Sequence, residues 1–207
     1  MTSTRSLPRA KRRSFSLAAG RPSELGLFFR QFLKHPASVA SIAPSSERVI
    51  QRMLAPVDWA SVKLFVEYGP GVGTFCNAVL ERLPADATYI AIDPNPDFIE
   101  HLRHTIRDSR FVLVRGSAAD VNEIIVQHGF THADYILSGL PFTTLPAGVG
   151  DLIARETAKA LRPGGGFLVY QFRPKVRTFF EPYIPKIDHA VEWWNIPPAQ
   201  LWWAWKE

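Results

Sequence analysis

Between residues 63 and 172, short β-rich runs alternate with helical stretches, and this alternation limits the possible folds more than any other feature of the chain. "KLFVEYG", "TYIAID", "RFVLVRG", "ADYILSG" and "GFLVYQF" have the composition of strands. Their apolar content is nearly continuous, so both faces of the sheet they form must be covered. "TFCNAVLERL", "PDFIEHLRHTI", "DVNEIIVQHG" and "GVGDLIARETAKALRPGG" supply the covering helices, the last ended by Pro163 and its glycines. Strands that alternate with helices pair in parallel, because each crossover returns the chain to the same end of the sheet. The expected class is therefore α/β. The last stretch, "DHAVEWWNIPPAQLWWAWK", predicts two strands around a Pro-Pro turn. In that hairpin Leu201, Trp203 and Trp205 share one face and Trp202 takes the other, an arrangement that closes a core.

Two further helices precede the alternation. In "SELGLFFRQFLKH", Leu25, Phe28, Phe29 and Phe32 fall on one helical face, with Ser23 at the start and Pro36 at the end. "PSSERVIQRMLAP" places Val49, Ile50, Met53 and Leu54 on an apolar side. Residues 1–22 are polar and basic and predict a disordered tail. The expected division is a basic tail at 1–22, an amphipathic helix at 23–36 and one catalytic domain at 37–207.

Charge is unevenly placed. The net charge is +5, yet residues 1–35 hold eight Lys and Arg against Glu24 alone. The rest of the chain is slightly acidic, so its body offers no broad basic surface for nucleic acid. A single cysteine, Cys76, excludes an internal disulfide and suits a reducing compartment. It falls on the core side of a predicted helix, where inert packing is expected. No apolar run reaches the ~18 residues of a spanning helix. A cytoplasmic protein is expected. His101 and His104 lie three apart on a helix without the further ligands a metal site needs, so no metal is expected.

"VEYGPGVG" joins the first strand to a helix, with Glu67, Gly69, Gly71 and Gly73 at alternate positions. Glycines there permit positive φ and close approach of a ligand to the backbone. Asp93 ends the next strand, where a carboxylate can accept hydrogen bonds from two ribose hydroxyls. Thr74 stands where the dinucleotide fingerprint requires its third Gly. An acid two residues before the first Gly suits a nucleoside cofactor bearing an ammonium group and no phosphate.

These motifs resemble the class I S-adenosylmethionine-dependent methyltransferases. The first motif is Glu67-Tyr68-Gly69-Pro70-Gly71-Val72-Gly73, the second Asp93 with Pro94, the third Gly116-Ser117-Ala118, and the fourth Ser138-Gly139-Leu140-Pro141-Phe142. The resemblance implies a Rossmann-like seven-stranded sheet, mostly parallel with a C-terminal antiparallel strand, preceded by N-terminal helices. It also implies S-adenosylmethionine as cofactor, leaving as S-adenosylhomocysteine. The implied cofactor-binding residues are Glu67, Gly69, Pro70, Gly71, Gly73, Asp93, Pro94, Ser117, Ala118 and Ser138. Ser117 replaces the usual Asp of the third motif.

Within that superfamily the chain is similar to bacterial phospholipid N-methyltransferases. The similarity rests on "ASVASIAPSSERVIQRML", "VEYGPGVGTF", "SGLPF" and "WWNIPPAQLW". It implies successive N-methylation of phosphatidylethanolamine towards phosphatidylcholine, or methylation of the ornithine-lipid amine. Enzymes that methylate nucleobase amines carry Asn where this chain has Gly139, so the fourth motif lacks the side-chain acceptor that aims a flat base. Ser138, Gly139, Leu140, Pro141 and Phe142 are then the wall of the amine site, with no general base assigned. The alternative is an adenine N-methyltransferase of ribosomal RNA or another nucleic acid; a third possibility is a binding module without catalysis.

Phe28, Phe29 and Phe32, flanked by Arg30 and Lys34 and preceded by the basic tail, form the pattern of a helix lying in a membrane interface. It is expected to act as a membrane anchor, as a lid over the cofactor, or as both. The expected partners are an anionic membrane surface and a lipid substrate, the expected location the inner face of the membrane, and the expected state a monomer.

Overall fold

The computed structural model describes residues 47–195 and 197–207. The tail at 1–22 and the helix at 23–36, with Phe28, Phe29, Arg30, Phe32 and Lys34, lie outside the described residues.

The described chain begins in α1 (Glu47–Leu54) and then alternates as expected: β1 (Leu64–Tyr68), α2 (Cys76–Leu80), β2 (Thr88–Asp93), α3 (Pro96–Thr105), β3 (Phe111–Arg115), α4 (Val121–Gln127), β4 (Ala133–Ser138), α5 (Val149–Ala160) and β5 (Leu161–Gln171). A short helix, α6 (Arg177–Phe180), leads to the hairpin β6 (Lys186–Glu192) and β7 (Ala199–Trp205). All seven strands form one sheet in the order β3-β2-β1-β4-β5-β7-β6. The first five pair in parallel. β7 is antiparallel to both β5 and β6, so it is the one reversed strand.

Strand alternation divides the core. Val66, Ile90, Ile136 and Phe167 pack on one face with Ile124 and Ile125 of α4 and Ile153 of α5. Phe65, Tyr89, Leu137 and Leu168 pack on the other with Val49 and Met53 of α1, Val79 of α2 and Leu102 of α3. Asn95 caps α3 through its side chain, which accepts from the Asp97 N–H, and Pro96 opens that helix. The hairpin divides its aromatics as its spacing predicts. Leu201 and Trp203 join the α1 face and Trp202 the other. The Trp203 indole N–H donates to the Met53 carbonyl at 2.9 Å, locking α1 onto β7.

The boundary between α5 and β5 differs from the sequence expectation. The helix stops at Ala160, and "LRPGGG" already belongs to the strand. The cause is a register shift between Ala133 and Tyr135, which lets Leu161 pair with Ala133 before the ladder resumes at Gly166. Gly165 is required there, since a Cβ would lie 2.8 Å from the Asp134 carbonyl oxygen. Asp134 ties this end of the sheet together: its carboxylate accepts from the backbone N–H of Lys63 and Leu64 at 2.7 and 2.9 Å and from the Arg162 guanidinium at 2.5 Å.

Asp134→Ala would leave two backbone donors with no acceptor beneath a nearly buried side chain. The expected loss is about 3 kcal/mol, read as a lower urea midpoint with unchanged denaturant dependence. A loss under about 0.5 kcal/mol would show that water replaces the carboxylate.

Candidate active site

β1 lies between β2 and β4, and the chain leaves the C-terminal ends of β1 and β4 towards opposite faces of the sheet. The loops diverge there and open a crevice. The glycine loop, the end of β2 and the segment after β4 all meet at this place. The Gly69 N–H donates to the Ile92 carbonyl at 2.9 Å and the Gly139 N–H to the Tyr68 carbonyl at 3.1 Å. A Cβ on Gly69 would fall 2.9 Å from Leu140 Cδ2, so the first and fourth motifs touch.

Gly69, Gly71 and Gly73 have φ of 64°, 57° and 86°, the left-handed region that disfavours other residues. Gly71 is the informative one. Among the described residues, no atom outside its chain neighbours lies within 4 Å of the position its Cβ would take, so its backbone faces open space there. That space fits a ligand approaching the main chain. The Gly71 N–H also donates to Asp93 Oδ2 at 3.3 Å, and the Asn95 N–H to Asp93 Oδ1 at 2.8 Å. Pro70 is buried beneath the loop and Pro94 is half-buried beside Asp93.

Glu67 and Asp93 share a face of the sheet and are both buried. Burial pushes the Glu67 carboxyl from its ordinary 4.5 up to about 7, opposed by hydrogen bonds from Tyr89 and Cys76 and aided slightly by the nearby Asp93 charge. Burial raises Asp93 from 3.8 to about 6, offset by the N–H groups of Asn95 and Gly71. The Tyr89 hydroxyl and the Cys76 thiol both donate to Glu67 Oε2. Glu67 Oε1 takes no donor among the described residues. Cys76 packs in the core, and it also contributes to the electrostatics of this carboxylate.

The third and fourth motifs place their side chains differently. The half-buried Ser117 hydroxyl accepts from the Ala119 N–H at 3.2 Å and caps the short helix that begins at the buried Ala118. The Ser138 side chain is buried on the opposite face from Glu67, and its oxygen accepts from the Leu140 N–H at 3.3 Å. Leu140 and Phe142 are buried, with the Phe142 ring against Phe167 and Phe179. Gln171 at the end of β5 donates to the Leu140 carbonyl and pins this turn.

Gly139 is explained by Tyr170. A Cβ at residue 139 would sit 2.7 Å from the Tyr170 hydroxyl oxygen and 3.1 Å from its Cζ. Tyr170 is half-buried, its ring packs tilted against Phe75 with centroids 4.9 Å apart, and its hydroxyl has no hydrogen-bond partner among the described residues. Burial holds that hydroxyl in its neutral form. Tyr89 and Tyr170 were not foreseen from sequence. The signal for Tyr89 was its spacing of four from Asp93 along one strand, which puts both on one face. The signal for Tyr170 was the alternation from Leu168.

Comparison with known proteins follows the same lines. Residues 65–165 match the family model described as a methyltransferase domain. The chain is 30% identical over 175 residues to an ornithine lipid N-methyltransferase of Singulisphaera acidiphila, covering 84% of this chain and 91% of that protein. Among solved structures, the O-methyltransferase from Bacillus cereus in complex with SAH superposes with a TM-score of 0.67 at 13% identity, over 86% of this chain and 90% of that one. The N-methyltransferase NodS from Bradyrhizobium japonicum gives 0.58 at 15% identity, over 77% and 94%.

The raised carboxyls fix a sign for the pH dependence. Their folded values exceed the ordinary ones, so their contribution to stability is full below 4.5 and 3.8 and is lost as pH rises through about 7 and about 6. The cofactor-free protein is expected to lose thermal stability between pH 5 and 7, and Glu67→Gln to flatten that loss. Unfolding midpoints across this range test it; equal slopes in the two proteins would contradict the burial of a titrating Glu67.

Proposed function

Since the chain belongs to the class I S-adenosylmethionine-dependent methyltransferases and is an N-methyltransferase, we propose that it methylates the headgroup amine of a membrane lipid at the membrane surface. Ornithine lipid is the first candidate, after the activity named for the Singulisphaera acidiphila relative, and phosphatidylethanolamine the second. The observation that carries this reading is the amine wall. Where nucleobase enzymes place an Asn side chain, this chain has Gly139 backed by the Tyr170 hydroxyl. A flat base loses its in-plane acceptor there, while a flexible alkylamine needs only one oxygen to orient an N–H.

The crevice has the groups the cofactor requires. The backbone of Gly69–Gly73 lines it, Glu67 supplies a carboxylate for the ammonium group, and Asp93 supplies one for the ribose hydroxyls. Pro70, Pro94, Ser117 and Ala118 complete its border. When bound, S-adenosylmethionine supplies a methyl group on a sulfonium, open to in-line attack by an amine lone pair. Tyr170 is a positioning group in this scheme: its neutral hydroxyl oxygen accepts one N–H of the deprotonated amine and aims the lone pair. Gly139 and Pro141 shape the passage, while Leu140 and Phe142 hold the turn from within the core. The segment at 23–36, whose sequence predicts an amphipathic helix, and the basic tail serve in this reading as the membrane attachment.

Labelled methyl is expected in the lipid fraction when the protein meets vesicles containing ornithine lipid or phosphatidylethanolamine. Labelling of RNA with neither lipid labelled would overturn the proposal. Tyr170→Phe is expected to lower kcat about tenfold with cofactor affinity unchanged, because the hydroxyl supports no other described residue. An unchanged kcat would remove Tyr170 from the amine site.

A further inference from the structure

Six strands run one way and β7 alone runs back, so the β6–β7 turn emerges at the same edge of the sheet as the glycine loop and the segment after β4. That turn carries Trp193 and Trp194, exposed by 73% and 78%. Tryptophan is highly buried on average, and two adjacent indoles left in water mark an interaction surface. The other C-terminal tryptophans are packed or hydrogen-bonded; these two are not core, because β6 ends at Glu192 and leaves them in the turn. The turn is held in shape: the Trp194 N–H donates to Glu192 Oε1 at 3.2 Å, and Arg52 bonds both the Val191 carbonyl and Glu192.

The surrounding charge is basic. The Arg48 guanidinium lies 5.7 Å from the centre of the Trp194 ring. Just past the end of β5, Arg173 and Lys175 are exposed and make no ion pair among the described residues. Of the nearby acids, Glu192 is paired with Arg52 at 3.2 Å and Glu181 with Arg177 at 2.5 Å, while Glu47 accepts from Gln51 and Asp188 from the Trp205 indole. Exposed indoles, one of them under a guanidinium, with exposed basic side chains at the same edge of the sheet match the interfacial zone of an anionic bilayer, where tryptophan settles at headgroup level and Lys and Arg meet lipid phosphates.

We infer that the Trp193–Trp194 turn, with Arg48, Arg173 and Lys175, is a second membrane contact that seats the catalytic edge of the sheet on the bilayer, independently of the segment at 23–36. This inference rests on the lipid-amine reading above for its purpose. Its test does not depend on that reading.

The 207-residue chain and its W193S/W194S variant are compared in sedimentation with vesicles of phosphatidylethanolamine and phosphatidylglycerol. The variant is expected to bind at least about tenfold more weakly. Its apparent KM for vesicle lipid is expected to rise in step, while kcat on a short-chain, water-soluble amine lipid stays unchanged. Equal vesicle affinity for the two proteins would overturn the inference. So would a change in sedimentation velocity without lipid, which would assign the indoles to a second copy of the chain. If the variant loses vesicle binding and the wild type methylates no lipid, the contact stands and the lipid-amine substrate falls.

Discussion

The parallel pairing of β1 with both β2 and β4 is the constraint on which the rest of this structure depends. A parallel ladder cannot be closed by a tight turn, so each connection must cross a face of the sheet. With the order β3-β2-β1-β4-β5, the crossovers from β1 to β2 and from β4 to β5 cover opposite faces. The crevice is thus a consequence of topology before any side chain is chosen. The side chains then specialise it: glycines where the backbone must be bare, carboxylates where the strands end.

Burial of two carboxylates in one crevice would be costly without compensation. Glu67 receives donors from Tyr89 and Cys76, and Asp93 from two backbone N–H groups, yet both carboxyls remain raised above their ordinary values. The site therefore holds its acids incompletely neutralised. A cationic ligand relieves that imbalance, so part of its binding free energy comes from groups the free protein leaves electrostatically unsatisfied. Glu67, beside the glycine loop, suits a cofactor with an ammonium group there better than one with a phosphate.

Much of this was legible in the chain. The five strands and four helices of the alternation, the glycine loop and Asp93 follow from local patterns that span a few residues each. What escaped sequence reasoning is lateral. Tyr170 touches the position of Gly139 because Ser138 pairs with Val169, a register fixed only once β4 and β5 are side by side. Tyr89 meets Glu67 across the β1–β2 pair for the same reason. The Leu161 boundary was missed because a Pro-Gly run normally ends an element, whereas here the register shift at Ala133 draws it into the ladder. Trp193 and Trp194 adjoin the first strand expected before the Pro-Pro turn, and strand ends are blurred in sequence by a residue or two; β6 stops at Glu192, and that is the distance between a buried indole and an exposed one.

The reversed strand links chemistry to location. Had β7 run parallel to β5, its connection from β6 would have lain at the opposite edge, far from the cofactor loop. Running back, it brings the β6–β7 turn to the catalytic edge and lays α1 across the hairpin, with Arg52 on Glu192 and Trp203 on Met53. The chain therefore enters its described fold beside the exposed indoles. A substrate amine anchored in a bilayer can move along the surface but can rise from it only a short way. For such a substrate the depth and tilt of the catalytic edge matter as much as the wall that orients the nitrogen. On the membrane-surface reading proposed above, a second contact would fix the tilt that one leaves free, and topology places the hairpin turn where it could supply that contact.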